Sequence, residues 1–464
     1  MIKQINSKED ITHSMSPVRR DKSMELYDEM HGVMNEIHGT DFSKRFWMIL
    51  LGDIVMSAMS RINVLKEKDI KRKPDLYPVN SYNLPTRKEK VKAGLFLLAK
   101  HLKTRGNRDK IDALLKNENE FRIGFPEFDG MDNEGIGVEL PLYYPFITGR
   151  GDRDKRKKVN EIAERYPDPF MRNVVRELPA VVVEHFGKLY KSIELYRAER
   201  KKFHIHIPYT WCTLYLIAKY SENGSRLVWY QHGSYYGEFE GDGAHHYEHE
   251  ISDEYRTWGW KIKKKDTPWK AYRLQKFQKE YGKHPNTNAC DLLVAFSKIN
   301  SGNRKESNDL AKYLLEHLDP DKFKKILARP QPANKVFSQK SQLDFIESDR
   351  VIKSNGLTHM AGDMSKCRLV LQMRVPATNF LECLYVGHPT VGILRNDQPT
   401  DIVKPYYDYF VEHGVLHLDL DSLVTHLNRI DVEKWWARLY RERAFKEYRY
   451  FFARNAVEFK NKLI

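Results

Sequence analysis

The chain has no run of about 18 uncharged apolar residues, so its sequence predicts no membrane-spanning helix. Its opening stretch, MIKQINSKEDITHSMSPVRRDK, is polar and lacks the apolar core of a secretory signal. Cysteine is scarce: Cys212, Cys290, Cys367 and Cys383 are scattered, with neither CxxC nor Cys/His spacing. That excludes a zinc ribbon and a disulfide scaffold, and leaves small buried thiols as the better reading. No internal repeat or low-complexity tract stands out, and no RNA-recognition, KH or zinc-finger pattern occurs. These absences lead us to expect a cytoplasmic, globular protein without disulfides.

What is present points to more than one domain. At 464 residues the chain exceeds what one hydrophobic core usually serves. Apolar residues make up 41% and aromatics 12%, ample material for buried cores. The net charge of +15 comes from 78 Lys+Arg against 63 Asp+Glu. Such an excess suits an anionic partner (nucleic acid, an anionic membrane surface or a phosphorylated ligand) without choosing among them. A solvated surface accounts for most of it.

Periodicity then divides the chain. Residues 34–66 carry apolar positions at helical spacing, among them Phe46, Ile49, Leu50, Val55 and Met59, with Thr40 or Asp41 as the expected cap. Further amphipathic helices are expected at 87–102 and 174–198, with a Gly/Pro-rich irregular connection over 124–154. From Phe203 the pattern becomes strand, helix, strand: FHIHIPY, an apolar helix through 214–218, then RLVWY ending at Gln231-His232-Gly233. The charged segment 261–288 reads as a bridge. After it, DLLVAFS, KKILAR, CRLVLQ and PTVGIL alternate with helix-length stretches, the rhythm of a second parallel α/β domain. The tail from about 432 reads as one long basic, aromatic helix.

In open parallel sheets ligands bind beyond the carboxyl ends of the strands, so the turns after the strands are where chemistry is expected. The densest is QHGSYYGEFEGDGAHHYEHEISDEYRTWGW, residues 231–260. It gathers His232, His245, His246 and His249 with Glu238, Glu240, Asp242, Glu248, Glu250 and Asp253, and its glycines permit close backbone approach. The competing reading is a solvated loop, but position and content favour a site. Metal binding by His245, His246, His249 and Glu248 is disfavoured, because the spacing is not HExxH.

The second constellation is VPATNFLECLYVGHPTVGIL, after CRLVLQ. Free N–H groups at the helix start would favour a phosphate, the Thr378 hydroxyl would add a donor beside Asn379, and Glu382 would accept from ribose hydroxyls. A plain helix start is the alternative. Arg329 closes the KKILAR pattern, where a cation could bind phosphate; a surface arginine competes.

Taken together, "MNEIHGTDFSKRFWMILLGDIV", "WYQHGSYYGEFEGD" with "SDEYRTWGW", and "TNFLECLYVGHPTVGIL" resemble a transferase family of bacterial O-antigen and capsule gene clusters. That family is distantly similar to the GT-B enzymes that transfer Kdo or nonulosonic acids (sialic-, legionaminic- and pseudaminic-acid types) from CMP-sugars. Gln231, His232 and Gly233 match its QHG turn; Glu240, Asp253, Trp258 and Trp260 match its acidic and WGW positions; Thr378 and Glu382 match its donor-binding pair. Two positions depart: Arg329 precedes Pro330 where relatives often carry a His-Pro pair, and Ser234 stands where they tend to have glycine.

The resemblance implies an α/β, GT-B fold: two doubly wound, Rossmann-like domains facing a cleft, with a helix-rich N-terminal part. Residues 1–270 would form the acceptor-side domain, 271–432 the nucleotide-sugar domain, and 433–464 a helix packing back on the first. The implied reaction is glycosyl transfer from a nucleotide sugar, CMP-linked by resemblance, onto a hydroxyl of a bacterial surface glycan. His232, Glu240 and Asp253 are the candidate catalytic residues. Gln231, Gly233, Glu238, Trp258 and Trp260 would line the cleft, and Arg329, Thr378, Asn379 and Glu382 would bind the nucleotide. No obligatory cofactor and no metal are expected. Expected partners are the nucleotide sugar and a glycan acceptor, lipid-linked among the alternatives, with peripheral contact at the inner membrane face. The rivals are a CDP-polyol phosphotransferase of the same fold and a basic nucleic-acid-binding protein.

Overall fold

The computed structural model describes residues 17–60, 120–123, 136–137, 152–194, 201–207, 211–239, 243–296, 304–330, 346, 348–354, 356, 359–394 and 399–453. The chain forms two compact units, one holding Ser7–Gln231 and Glu240–Arg256, the other His232–Phe239 and Thr257–Ile464. Against expected boundaries after 270 and 432, the units change over at 231/232, 239/240 and 256/257. Each has its own parallel sheet. The expected helix at 87–102 lies outside the described residues, as does most of the 124–154 connection.

The first unit's sheet comprises β1 (Glu120–Ile123), β2 (Ile136–Gly137), β3 (Lys202–Ile205), β4 (Arg226–Tyr230) and β5 (Glu254–Thr257), ordered β2-β1-β3-β4-β5. All pairs are parallel. The order reverses at β1/β3, the mark of a doubly wound sheet. Its strands are two-faced. Phe121, Phe203 and Leu227 stand in register on the apolar face and are buried, while Glu120, Lys202 and Arg226 share the opposite face. Lys202 Nζ meets the Glu120 carboxylate at 3.0 Å, and Tyr230 lies 2.8 Å from His204 Nδ1.

The continuous helix expected over 34–66 is instead two, Pro17–His38 and Lys44–Ser60. Gly39, at φ 64°, ends the first. Asn35 knits the break: its side-chain oxygen accepts from the Trp47 indole at 2.8 Å and the Phe42 N–H at 3.1 Å. The cap is Ser43, whose hydroxyl accepts from the Phe46 N–H at 3.2 Å, not Thr40 or Asp41. The helix expected over 174–198 is likewise split into Pro169–Arg176 and Phe186–Glu194.

The second unit begins its regular structure with a short strand, β6 (Asp266–Pro268), and the helix Tyr272–Tyr281, so the supposed bridge is structured. Its main sheet comprises β7 (Cys290–Ala295), β8 (Ile326–Arg329), β9 (Val351–Lys353), β10 (Cys367–Val375), β11 (Thr390–Leu394) and β12 (Leu416–His417). Read as β9-β8-β7-β10-β11-β12, the order is the 3-2-1-4-5-6 of dinucleotide-binding sheets, with every pair parallel. The central strands are apolar on both faces, Leu292, Leu369, Val370 and Leu371 being fully buried, because helices must cover both sides of such a sheet. Both units are thus doubly wound α/β layers.

The tail is not one helix. Val432–Leu439 and Arg443–Ala453 are separate, and they bury Trp435, Trp436, Leu439, Phe445, Tyr448 and Phe452. Among the described residues no helix is long and apolar enough to cross a membrane.

Candidate functional site

The order of the second unit's sheet reverses between β7 and β10, and the turn after β10 therefore opens at its switch point. Helix Thr378–Val386 starts there. Its N-cap, Ala377, has extended backbone and offers no side-chain cap, so the helix's positive end is not neutralised by its own sequence. Pro376, Ala377, Thr378 and Asn379 are all half-buried.

Segment His232–Phe239 lies against this helix start, within the same unit. The Ser234 N–H donates to Thr378 Oγ1 at 3.2 Å. A Cβ on Gly233 would stand 3.4 Å from that same oxygen, an ordinary contact distance, so the two segments are packed together here. The QHG turn and the Thr378 position, far apart in sequence, are thus one local structure.

Glu382 stands beyond the helix's first turn and is buried. Burial raises its pKa above the ordinary carboxylate value, against the opposing pull of Arg273 and, more weakly, Arg329. Arg273 Nε reaches the Glu382 carboxylate at 3.3 Å, while its Nη1 donates to the His232 carbonyl at 3.5 Å. Arg273, at the start of helix Tyr272–Tyr281, therefore joins helix Thr378–Val386 to the QHG turn. Arg329 is buried at the end of β8 and paired with Asp363, which also accepts from the Ser354 hydroxyl at 2.6 Å. This is no surface arginine: it is a fixed cation whose field reaches Glu382.

His232 is half-buried, and the Tyr236 hydroxyl lies 2.8 Å from its Nε2. Burial, aided by Arg273, lowers its pKa to about 4, so the ring is neutral at physiological pH and can accept a proton. Glu238 has a different part. Its carboxylate is buried between the hydroxyls of Tyr407 and Tyr448, the latter at 3.1 Å, and its backbone carbonyl accepts from the Thr400 N–H. Burial raises its pKa despite those donors. It fastens the segment to helices Lys404–Glu412 and Arg443–Ala453.

The remaining expected residues fall elsewhere. Glu240 and Asp242 lie outside the described residues. Asp253 belongs to the first unit, where Arg45 grips it with two donors at 2.8 and 3.2 Å and the Leu227 N–H donates at 2.8 Å. Those bonds make it a structural post between helix Lys44–Ser60 and β4. Gln231 is buried in the first unit and extends the β4–β5 ladder through its N–H to the Arg256 carbonyl. His245, His246 and His249 ride on helix Gly243–Ile251 rather than in a loop.

Trp258 and Trp260 are buried, 3% and 1% exposed, and offer a ligand no surface. Their role is packing. A Cβ on Gly237, at φ 76°, would sit 2.7 Å from the Trp260 ring, and one on Gly259, at φ 136°, would sit 2.6 Å from the Phe451 carbonyl. The WGW turn is wedged between the His232–Phe239 segment and the last described helix.

Sequence reasoning missed Arg273, Tyr236, Asp363, Tyr407 and Tyr448. Tyr236 was visible inside the QHG turn. Nothing in the sequence distinguished Arg273 from the other cations of 261–288.

A family model described as "LIC12162 family transferase" matches residues 145–464, more than half of the chain. No protein of curated description matches the sequence. Among solved structures the chain is similar to the wall teichoic acid polymerase TagF, at 10% identity and a TM-score of 0.31 over 58% of this chain and 81% of that one. It is also similar to the spinosyn rhamnosyltransferase SpnG bound to spinosyn aglycone (8% identity, TM-score 0.35, 73% and 95% covered). A third is Anabaena HepE bound to UDP-glucose, at 10% identity and a TM-score of 0.35 over 72% and 96%.

Proposed function

The chain belongs to the LIC12162 family of transferases, and from that premise we propose that it moves a glycosyl group from a nucleotide-activated sugar onto a hydroxyl of a bacterial surface glycan. The observation that carries this reading is the cluster at the switch point: an uncapped helix start at Thr378, the buried Glu382, and the cations Arg273 and Arg329 beside the His232 turn.

Each part has a task in such a transfer. The bond from the anomeric carbon to the donor phosphate breaks, and the leaving phosphate carries the charge. The N–H groups at Thr378 and Asn379 and the Arg273 guanidinium meet that charge, with Arg329 adding its field from behind. Glu382 accepts from the ribose hydroxyls once the nucleotide displaces Arg273 from it. The acceptor hydroxyl attacks the anomeric carbon and gives up its proton to a base, for which neutral His232 is the first candidate and Glu240 the second. Residues 271–432 would then serve the donor and 1–270 the acceptor.

The finer assignment is a CMP-linked donor of the nonulosonic-acid or Kdo type, supported by the resemblance of the QHG and WGW segments. Calorimetric titration with CMP, CDP, UDP and GDP tests it. CMP is expected to bind most tightly. A preference for UDP or GDP would overturn the CMP assignment, and turnover of a CDP-polyol in place of a CMP-sugar would move the reaction to phosphotransfer. Binding of none of the four would end the nucleotide-sugar reading.

A further inference from the structure

Directly after Trp260 the sequence reads KIKKKD, and the structure turns this run into a fixed feature. The buried Asp266 carboxylate accepts from the backbone N–H groups of Ile262 at 3.0 Å and Lys263 at 2.6 Å, closing a tight turn. The closed turn leaves Lys261, Ile262 and Lys264 exposed, with Lys270 exposed shortly beyond it. Lys261, Lys264 and Lys270 pair with no carboxylate among the described residues. Ile262 is 41% exposed, a large aliphatic side chain set between cations that folding leaves only partly covered.

The turn does not stand alone. Gly259, two residues before Lys261, backs onto the carbonyls of Tyr450 and Phe451 so closely that no side chain fits. The basic turn therefore starts beside the outer end of helix Arg443–Ala453, where Phe451 is 37% exposed. Two exposed apolar side chains and three lysines thus come from segments almost two hundred positions apart whose backbones approach each other at Gly259.

We infer that the 261–265 turn, with Lys270 and the Phe451 end of the last described helix, forms a surface that binds anionic lipid bilayers. Lysines near such a surface are drawn to its negative potential, and Ile262 and Phe451 enter the headgroup–acyl boundary. Nucleic acid would use the lysines equally and could stack a base on Phe451, but it gives no reason for the exposed Ile262. The surface lies apart from the cluster around Thr378 in sequence and in residues, so its test does not depend on the proposed reaction.

The experiment is co-sedimentation of the full chain with vesicles of phosphatidylcholine alone or mixed with phosphatidylglycerol, at low and at 0.5 M salt. Binding is expected only to the mixed vesicles and only at low salt. Lys261→Gln/Lys264→Gln/Lys270→Gln should lower the partition coefficient on the order of 100-fold. Ile262→Ser/Phe451→Ser should lower it with the lysines intact, and circular dichroism should show both variants folded, since every altered side chain is exposed. The proposal fails if the wild type stays in the supernatant, sediments equally with neutral vesicles, or loses nothing in the triple variant. It also fails if the lysine change abolishes binding to a DNA or RNA oligonucleotide while vesicle binding is absent.

Discussion

Glu382 and His232 show how a side chain's chemistry is set by what surrounds it. A carboxylate buried one turn into a helix keeps its place because Arg273 offsets part of its desolvation cost. Glu382→Gln should weaken nucleotide binding by about 1.5–3 kcal/mol, the worth of a charged hydrogen bond, with calorimetry as the measure. Unchanged affinity would remove the residue from the site. His232, with its pKa lowered to about 4, stays an unprotonated acceptor well below the pH at which a free imidazole takes up its proton. If it is the base, the acidic limb of kcat/KM should fall near pH 4 rather than near 6.5, and His232→Ala should cut turnover by about two orders of magnitude or more. A limb near 6.5, or near-normal turnover in the variant, would assign the proton to another group. Thr378 and Glu382 could be singled out in sequence as candidates because the apolar run of β10 stops sharply before them. Arg273 could not, since what sets this cation apart from others of a charged stretch is a carboxylate 109 positions away.

At the scale of elements, strands were the readable part: the RLVWY and CRLVLQ runs fall on β4 and β10 because a buried parallel strand needs an uninterrupted apolar core. Helix ends were harder. The tail breaks between Leu439 and Arg443 with neither proline nor glycine to mark it, so periodicity ran straight through. The WGW turn, expected to line the cleft, buries both its tryptophans, and a motif's spacing does not say whether its aromatics face a ligand or a neighbour. Gly259 supplies a sharp test. Gly259→Ala places a methyl against the backbone carbonyls of Tyr450 and Phe451 at φ 136°, and should lower stability by about 2 kcal/mol or more. Gly187→Ala, where a Cβ meets nothing within 4 Å, should be neutral or raise stability by up to about 1 kcal/mol. Equal melting temperatures for the two variants would refute the wedge. Deletion after Val432 is a coarser test of the same element. It removes five buried aromatics, each worth about 3–5 kcal/mol by truncation, which exceeds the whole stability of an ordinary domain. An insoluble or unfolded product is expected; a soluble, cooperatively melting truncation would show that the tail is not part of the core.

Over the whole molecule, buried titratable groups of both units act together on stability. Burial lowers the pKa of His38 to about 3 and of His232, His388 and His426 to about 4. Lys155 adds to the shift at His38, Arg273 at His232, and His417 with Lys322 at His426. In the unfolded chain these rings titrate near 6.5, so below that pH the unfolded state binds protons that the folded state refuses. Their stabilising contribution is therefore complete above about pH 6.5 and is lost as the pH falls toward 4. Glu238 and Glu382 work in the opposite sense: raised in the folded state, they favour folding at low pH and lose that contribution as the pH rises above the unfolded value of about 4.5. Between 4.5 and 6.5 the two slopes compete, and four histidines outweigh two glutamates. Melting temperature should fall steadily from pH 6 to pH 5, where the four rings of the unfolded chain are mostly protonated and outnumber the protons two glutamates can hold. His388→Gln removes one of the four lowered imidazoles away from the proposed catalytic groups, and should make that fall shallower, by up to about 1.4 kcal/mol per pH unit. A melting temperature that holds constant or rises over that interval would mean that the buried imidazoles are not held neutral.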